Sequence, residues 1–327
     1  MVTTANLPAV LVTAYNRPSK LRSLFRSLTT SAPPLIFLHV DGPKAGDTED
    51  SRLVEQTRDL VKELDWKPEV KTMFQDSNLG CREGMHHALD WFFDHVDEGI
   101  VLEDDLIVSP SMFQFFEHGL TAFAHPEIWM LSANKNSNFR SYRHPALTKV
   151  VGIWGWATWA HKWKLHDKGL EFWPDFRESR GFREIFPSKQ VSVNFRNEID
   201  QSFSHQIDTW DSGFMATIWK NGGFSISPPV NLASNLGFDA QATHTKTANF
   251  ESNLPIYEPA TDSMVRAPKP SRLADRIEFW MLKGPRSTRK AFRRANSGVD
   301  IASPLLSRSE VIPWVGLRKC GLVASPL

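Results

Sequence analysis

The chain is 327 residues long, 41% hydrophobic and 23% charged, with a formal net charge of +1; that balance suits a globular protein with a sizeable core and excludes a strongly basic nucleic-acid binder. Its two cysteines, Cys81 and Cys320, are too few for a disulfide framework or a cysteine zinc site, which fits a reducing compartment. No apolar run reaches the roughly 18 residues of a spanning helix, and the opening MVTTANLPAVLVTAYNRPS lacks the regions of a signal peptide, so a soluble cytoplasmic protein is expected.

PAVLVTA (8–14) reads as a short apolar strand, ended by YNRP, whose proline holds Arg17 in an extended conformation. Leu21, Leu24, Phe25 and Leu28 then recur at helical spacing. LIFLHVDG (35–42) is a second strand ending in a turn, and the stripe Leu53, Thr57, Leu60, Val61, Leu64 predicts a helix. VKTMF (70–74) is a third strand and REGMHHALDWFFDHV (82–96) a helix. GIVLEDD (99–105) is a fourth strand, followed by a helix with Ser109 as N-cap and Pro110 at its first position. IWMLSAN (128–134) is a fifth strand.

Strands alternating with amphipathic helices predict an α/β fold, a mainly parallel sheet covered by helices on both faces. Ligands of such sheets bind beyond the carboxyl ends of the strands. Four polar clusters fall there: Asn16-Arg17, Asp41-Gly42, Asn78-Leu79-Gly80 and Glu103-Asp104-Asp105.

After residue 150 the alternation stops. VVGIWGWATWAHKWKLH (150–166) is aromatic and glycine-interrupted, and much of the chain's tryptophan, 12 residues in all, lies between 154 and 219. Such a cluster either packs a core or stacks sugar rings. A second, smaller aromatic-rich lobe is expected here. From Pro268 the chain turns basic, with Arg272, Arg276, Lys283, Arg286, Arg289, Lys290, Arg293 and Arg294 around Phe279 and Trp280. That tail reads either as a solvated helical extension or as a docking surface for anionic lipid or a partner.

The chain has no GxGxxG after its first strand, no P-loop, and no HExxH, GxSxG or CxxC. Dinucleotide-redox, P-loop, zinc-protease, serine-hydrolase and thiol-redox readings thereby lose their support. What remains is a row of three carboxylates, Glu103, Asp104 and Asp105, which repel one another unless a cation sits among them. At a strand end this suits Mg²⁺ or Mn²⁺, which takes one or two carboxylates and completes its shell with water and phosphate oxygens.

The run IVLEDDLIVSPSMFQFF, then IWMLSANKN, GIWGWATW and TWDSGFM, resembles the metal-dependent GT-A glycosyltransferases related to N-acetylglucosaminyltransferase I and their bacterial sugar-transferase relatives. The resemblance covers residues 8 to 245. It implies a GT-A fold, Rossmann-like, with a nucleotide-sugar-binding part over 1–150 and an acceptor-binding and catalytic-base lobe over 151–260. The basic extension, 261–327, lies outside it. By the resemblance Asp105 contacts Mn²⁺ or Mg²⁺, while Asp104 and Glu103 face the ribose and donor sugar. Asn16 and Arg17 match the nucleotide-contacting turn, Asp41 the reader of nucleobase and ribose, and Asp211 the general base beside Trp210. Trp156 and Trp210 are expected to touch substrate. His244 is either a structural histidine or, by the resemblance, the residue completing the metal site.

Two departures stand out. Ser212 occupies the place of a second acidic residue, and Gly84, with His86 and His87 nearby, stands where the eukaryotic relatives carry a histidine. Arg82 of NLGCREG is therefore expected to serve the diphosphate. The implied activity is an inverting transfer, by single displacement, from a nucleotide sugar (UDP-linked in preference to GDP-linked) to a glycan or lipid-linked hydroxyl. No nucleic-acid partner is expected, and the basic tail suggests contact with the inner face of a membrane. A nucleotidyltransferase using the same metal and a non-catalytic sugar-binding module are the rival readings; the first expects a glycine-rich basic loop where this chain has AYNRPSK, and the second needs neither the triplet nor Asp211.

Overall fold

AVLVTA is apolar or small throughout, and all six residues are buried in strand β1 (Ala9–Ala14), an interior strand of the sheet. The computed structural model describes residues 7–136, 144–237, 254–259, 261–270, 272–285 and 287. Helix α1 (Pro18–Leu28) follows and buries Leu21, Leu24, Phe25 and Leu28, the stripe expected from their spacing. Then come β2 (Leu35–Val40), α2 (Thr48–Asp59), β3 (Glu69–Phe74), α3 (Gly80–Phe93), β4 (Glu98–Glu103), β5 (Leu106–Val108), α4 (Pro110–Ala122) and β6 (Ile128–Ser132). Ser109 caps α4 by accepting from the Ser111 N–H at 3.0 Å, with Pro110 at the first turn.

Strands β3, β2, β1 and β4 lie side by side and all parallel. Their carboxyl ends therefore share one edge, as the sequence requires. Successive residues of β1 point to opposite faces: Val10 and Val12 pack with α1 and α4, and Leu11 packs with α3 through Phe92. Helices cover both faces, so the fold is mixed α/β with a large, mostly parallel central sheet.

The sheet does not stop at residue 150. Strand β7 (Ala146–Thr148), strand β8 (Trp156–Trp159) and, beyond helices α5 (Ala160–Trp163), α6 (Trp173–Phe176), α7 (Arg180–Glu184), α8 (Lys189–Phe203) and α9 (Asp211–Lys220), strand β9 (Phe224–Ser227) all join it. With β11 (Lys269–Pro270) the order is β11-β7-β9-β6-β8-β4-β1-β2-β3. Strand β8 runs antiparallel between β4 and β6, so the expected boundary at 150 is not a boundary of the sheet. Its WATW is buried at all four positions and so shows no alternation in sequence. Strand β10 (Ala233–Asn235) pairs antiparallel with β5 beside the carboxylate triplet.

A smaller aromatic core does form, from residues between Leu170 and Trp219. Beyond α10 (Thr261–Met264), helix α11 (Arg272–Lys283) completes that core. Phe279 is 1% exposed and meets Phe186 and Phe195 with ring centroids 5.2 and 5.6 Å apart. Burying Phe279 and Met281 contributes roughly 1.5–3 kcal/mol each. The expected solvated extension is thus, over 272–283, a docked helix. Arg272 and Arg276 are exposed, whereas Arg286, Arg289, Lys290, Arg293 and Arg294 lie outside the described residues. No helix among the described residues is long and apolar enough to cross a membrane.

Candidate functional site

The carboxylate triplet sits where β4 ends: Glu103 is its last residue, and Asp104 and Asp105 form the turn into β5. Asp104 is 1% exposed and Asp105 7%. Two buried adjacent carboxylates need compensation. Arg17 supplies it from the turn after β1. Its Nε reaches Asp104 Oδ2 at 3.3 Å, one terminal nitrogen bonds Asp104 Oδ1, and the other lies 3.0 Å from Asp105 Oδ2. Burial opposes the guanidinium charge, but Asp104 and then Asp105 outweigh it and hold Arg17 above its ordinary range.

Glu103 has no such ion pair among the described residues. Burial first, then the charges of Asp105 and Asp211, push its carboxyl up to about 8. Asp104 rises to about 6 through burial, with Arg17 pulling the other way. The forked bond to Arg17 favours the ionised form of Asp104. Asp211 therefore lies near enough to Glu103 for its charge to be felt there, although α9 is far away in sequence.

Asp211 is the first residue of α9. Its Oδ1 accepts from the Thr209 hydroxyl and from the Ser212 N–H, the latter at 2.7 Å. The same residue lines a cleft of about 170 Å³ running between the sheet, α8 and the end of α11.

Five expected contact residues are spent internally. Asp41, 7% exposed, accepts from the N–H groups of Gly42, Leu79 and Gly80 at 2.8, 2.9 and 3.2 Å and from Asn78 Nδ2 at 2.9 Å. Both of its oxygens pin the 78–80 loop to β2, so the expected nucleobase reader is a loop anchor. Burial, its largest influence, raises this carboxyl despite those bonds. Asn16 donates to Asp50 at 2.5 Å, alongside Tyr15 and the Lys44 N–H. Arg82, expected at the diphosphate, turns instead to the α8–α9 loop. It donates to the carbonyls of Ser202, Ile207 and Thr209 at 2.6, 3.0 and 3.1 Å. Trp156 and Trp210, expected to touch substrate, are 1% and 3% exposed and stack on each other at 5.6 Å. Packing wins there, because a ring with no open face cannot receive a sugar.

Asp208 was missed. It accepts from the N–H groups of Cys81 and Arg82 at 2.7 and 3.0 Å and so caps α3. This helix start would otherwise attract a phosphate. Gly80, at φ +81, lets the loop pass: a β-carbon there would meet Asp208 Oδ2 at 2.6 Å. Nothing in IDTWD distinguished Asp208 from Asp211 as the cap, because the choice depends on where α3 begins.

A divalent cation can be tested against this donor set. Asp105 Oδ1 is buried with no hydrogen-bond partner among the described residues. Gly237 passes so close that a β-carbon there would collide with the Asp105 carboxylate. Among the described residues no three His, Cys, Asp or Glu side chains converge on one ion. The set fits a hard cation held by one or two carboxylates and otherwise by water and phosphate, and it does not fit an all-protein cage. His244 lies outside the described residues.

No protein-family model matches the chain, and no curated protein does. Solved structures show distant likenesses. HddC from Yersinia pseudotuberculosis is 11% identical at a TM-score of 0.32, covering 47% of this chain and 78% of its own. The glycosyltransferase GlyE of Streptococcus pneumoniae is 15% identical at 0.34, covering 67% of this chain; the chain spans 45% of GlyE. A mannose-1-phosphate geranyltransferase from Thermus thermophilus is 8% identical at 0.33, covering 68% of this chain and 73% of its own. Likenesses of this size carry no argument about function. The fold class rests on strand order and register.

Proposed function

We propose that the protein is a nucleotide-sugar-dependent glycosyltransferase acting by single displacement, with Asp211 as general base and the triplet edge as donor site. The observation that supports it is the nearness of Asp211 to Glu103, the first carboxylate of the triplet, at the carboxyl edge of the parallel strands. Asp211 also lines the cleft between α8 and the end of α11, which gives an acceptor a way to reach it.

Asp105, with its unpartnered Oδ1, would hold the divalent cation, and Glu103 would lie nearest the donor sugar. Such a cation, when bound, stabilises charge gathering on the departing diphosphate. Arg17 adds a fixed positive charge at the same edge. Asp211 takes the proton of the acceptor hydroxyl as its oxygen bonds to C1 of the sugar. The C1–O bond to the diphosphate breaks on the opposite side, and its electron pair leaves with the nucleotide. In this scheme no carboxylate attacks C1, so the single displacement inverts it.

The test is product analysis with UDP- and GDP-sugars, with and without Mn²⁺. Mn²⁺-dependent release of a nucleoside diphosphate is the expected result. Pyrophosphate release from a nucleoside triphosphate and a sugar phosphate would replace this reading with a nucleotidyltransferase.

A further inference from the structure

The cleft beside Asp211 is closed on its far side by helix α11, which lies outside the stretch that carries the glycosyltransferase resemblance. Leu282 and Lys283, its last two residues, line the cleft opposite Asp211. Three α8 side chains hold Lys283 in place. Asn194 Nδ2 donates to its carbonyl at 2.7 Å, Glu198 pairs with its ammonium at 2.5 Å, and the Phe195 ring lies beneath that ammonium at 5.7 Å. The wall is therefore anchored through both backbone and side chain.

The cleft's chemistry is divided. Trp154, Phe195, Met215 and Leu282 give it an apolar face, while Asn134, Asp211, Glu198 and Lys283 supply polar groups. Glu198 and Lys283 neutralise each other, so they present hydrogen-bonding groups and no net charge. At about 170 Å³ the cleft falls below the roughly 300–1,000 Å³ of pockets for drug-sized ligands and suits one ring. A pyranose has the matching character: one face of C–H groups and a rim of hydroxyls.

We infer that α11 forms one wall of the acceptor site, and that this site takes a single uncharged pyranose, selected through Glu198 and Lys283. The inference rests on the transferase reading for its word acceptor, but not for the cleft itself. An acidic sugar would place its carboxylate beside Glu198 or Asp211, and repulsion excludes it.

Saturation-transfer NMR on the full chain tests this with methyl glycosides of neutral hexoses and with methyl glucuronide. At least one neutral glycoside should receive saturation, and the glucuronide should not. Leu282→Trp, which fills the cleft, should abolish that transfer while leaving the melting temperature and Mn²⁺-dependent nucleoside diphosphate binding unchanged. Lys283→Ala should weaken glycoside binding at least about fivefold, the low end of site-coupling effects, and Lys283→Arg should restore most of it. Should Leu282→Trp fail to fold, the Lys283 pair decides. Wild-type protein that binds none of the glycosides, or a filled cleft that binds them as before, overturns the inference. Glycoside binding without any nucleotide binding upholds the cleft and defeats the transferase reading; the reverse pattern defeats only the cleft.

Discussion

Arg17 grips Asp104 through two nitrogens and reaches Asp105 with a third, so one guanidinium from the turn after β1 neutralises the strand end beside it. Three carboxylates in sequence raised the question of their cation, and part of the answer is carried by the chain itself. Replacing Arg17 by Ala leaves two buried carboxylates without that charge, a change that typically costs about 3–5 kcal/mol. The urea midpoint should fall accordingly, and millimolar Mn²⁺ should recover part of the loss by substituting for the missing charge. A variant as stable as wild type, with no response to Mn²⁺, would refute this account of the strand end.

Asp211→Asn keeps the side chain's size and its acceptor oxygen for Thr209 and Ser212, and it removes the capacity to take a proton. Turnover should fall by about 10²–10⁴, the usual range for loss of a general base. Affinity for the nucleotide sugar should hardly change, since the donor edge lies on other elements. If Asp211 were only a helix-terminal acid, the change would cost at most about 1 kcal/mol of stability and spare turnover. Kinetics at saturating donor separate the two outcomes.

Gly80 and Asp208 form one device. Gly80→Ala should destabilise by about 1–2 kcal/mol for its left-handed backbone, and it should also displace the Asp208 carboxylate. Asp208→Ala should cost about 0.5–2 kcal/mol as a lost cap. Because both changes break the same contact, their double mutant should lose less than the sum. Strict additivity in denaturant melts would show that the two residues act separately.

Three buried histidines should make the fold sensitive to acid. Burial depresses His39 and His86 to about 4 and His166 to about 3, with His87, Lys168 and His86 adding respectively. Each binds its proton more readily in the unfolded chain, near pH 6.5, so the stability each contributes is present above that pH. It is lost as pH falls from about 6.5 towards 4, and for His166 towards 3. Glu103 and Asp104, whose pKa values are raised, act in the opposite sense over part of that range. The informative quantity is therefore the difference between wild type and His166→Phe. The variant's urea midpoint should decline less between pH 7 and pH 4.5, and parallel declines would contradict the argument.

What the sequence determined by itself is local. Short apolar runs and helical spacing place β1 to β4 and α1 to α4, and Ser109 with Pro110 marks the start of α4 to the residue. Because β1 to β4 are all parallel, four polar turns had to meet on one edge, and they do. The partner of each polar side chain was another matter. Asp41, Asn16 and Arg82 have the chemistry to bind a nucleotide, yet each is spent on the protein's own loops, because those donors and acceptors arrive from distant segments. Trp156 and Trp210 likewise read as core or platform until β8 entered the sheet between β4 and β6 and closed over both rings. The docking of α11 against α8 was equally hidden, since an amphipathic basic helix looks alike in sequence whether its apolar stripe meets protein or lipid. Residue type sets what a side chain can bind, and only the packing of remote segments decides what it meets.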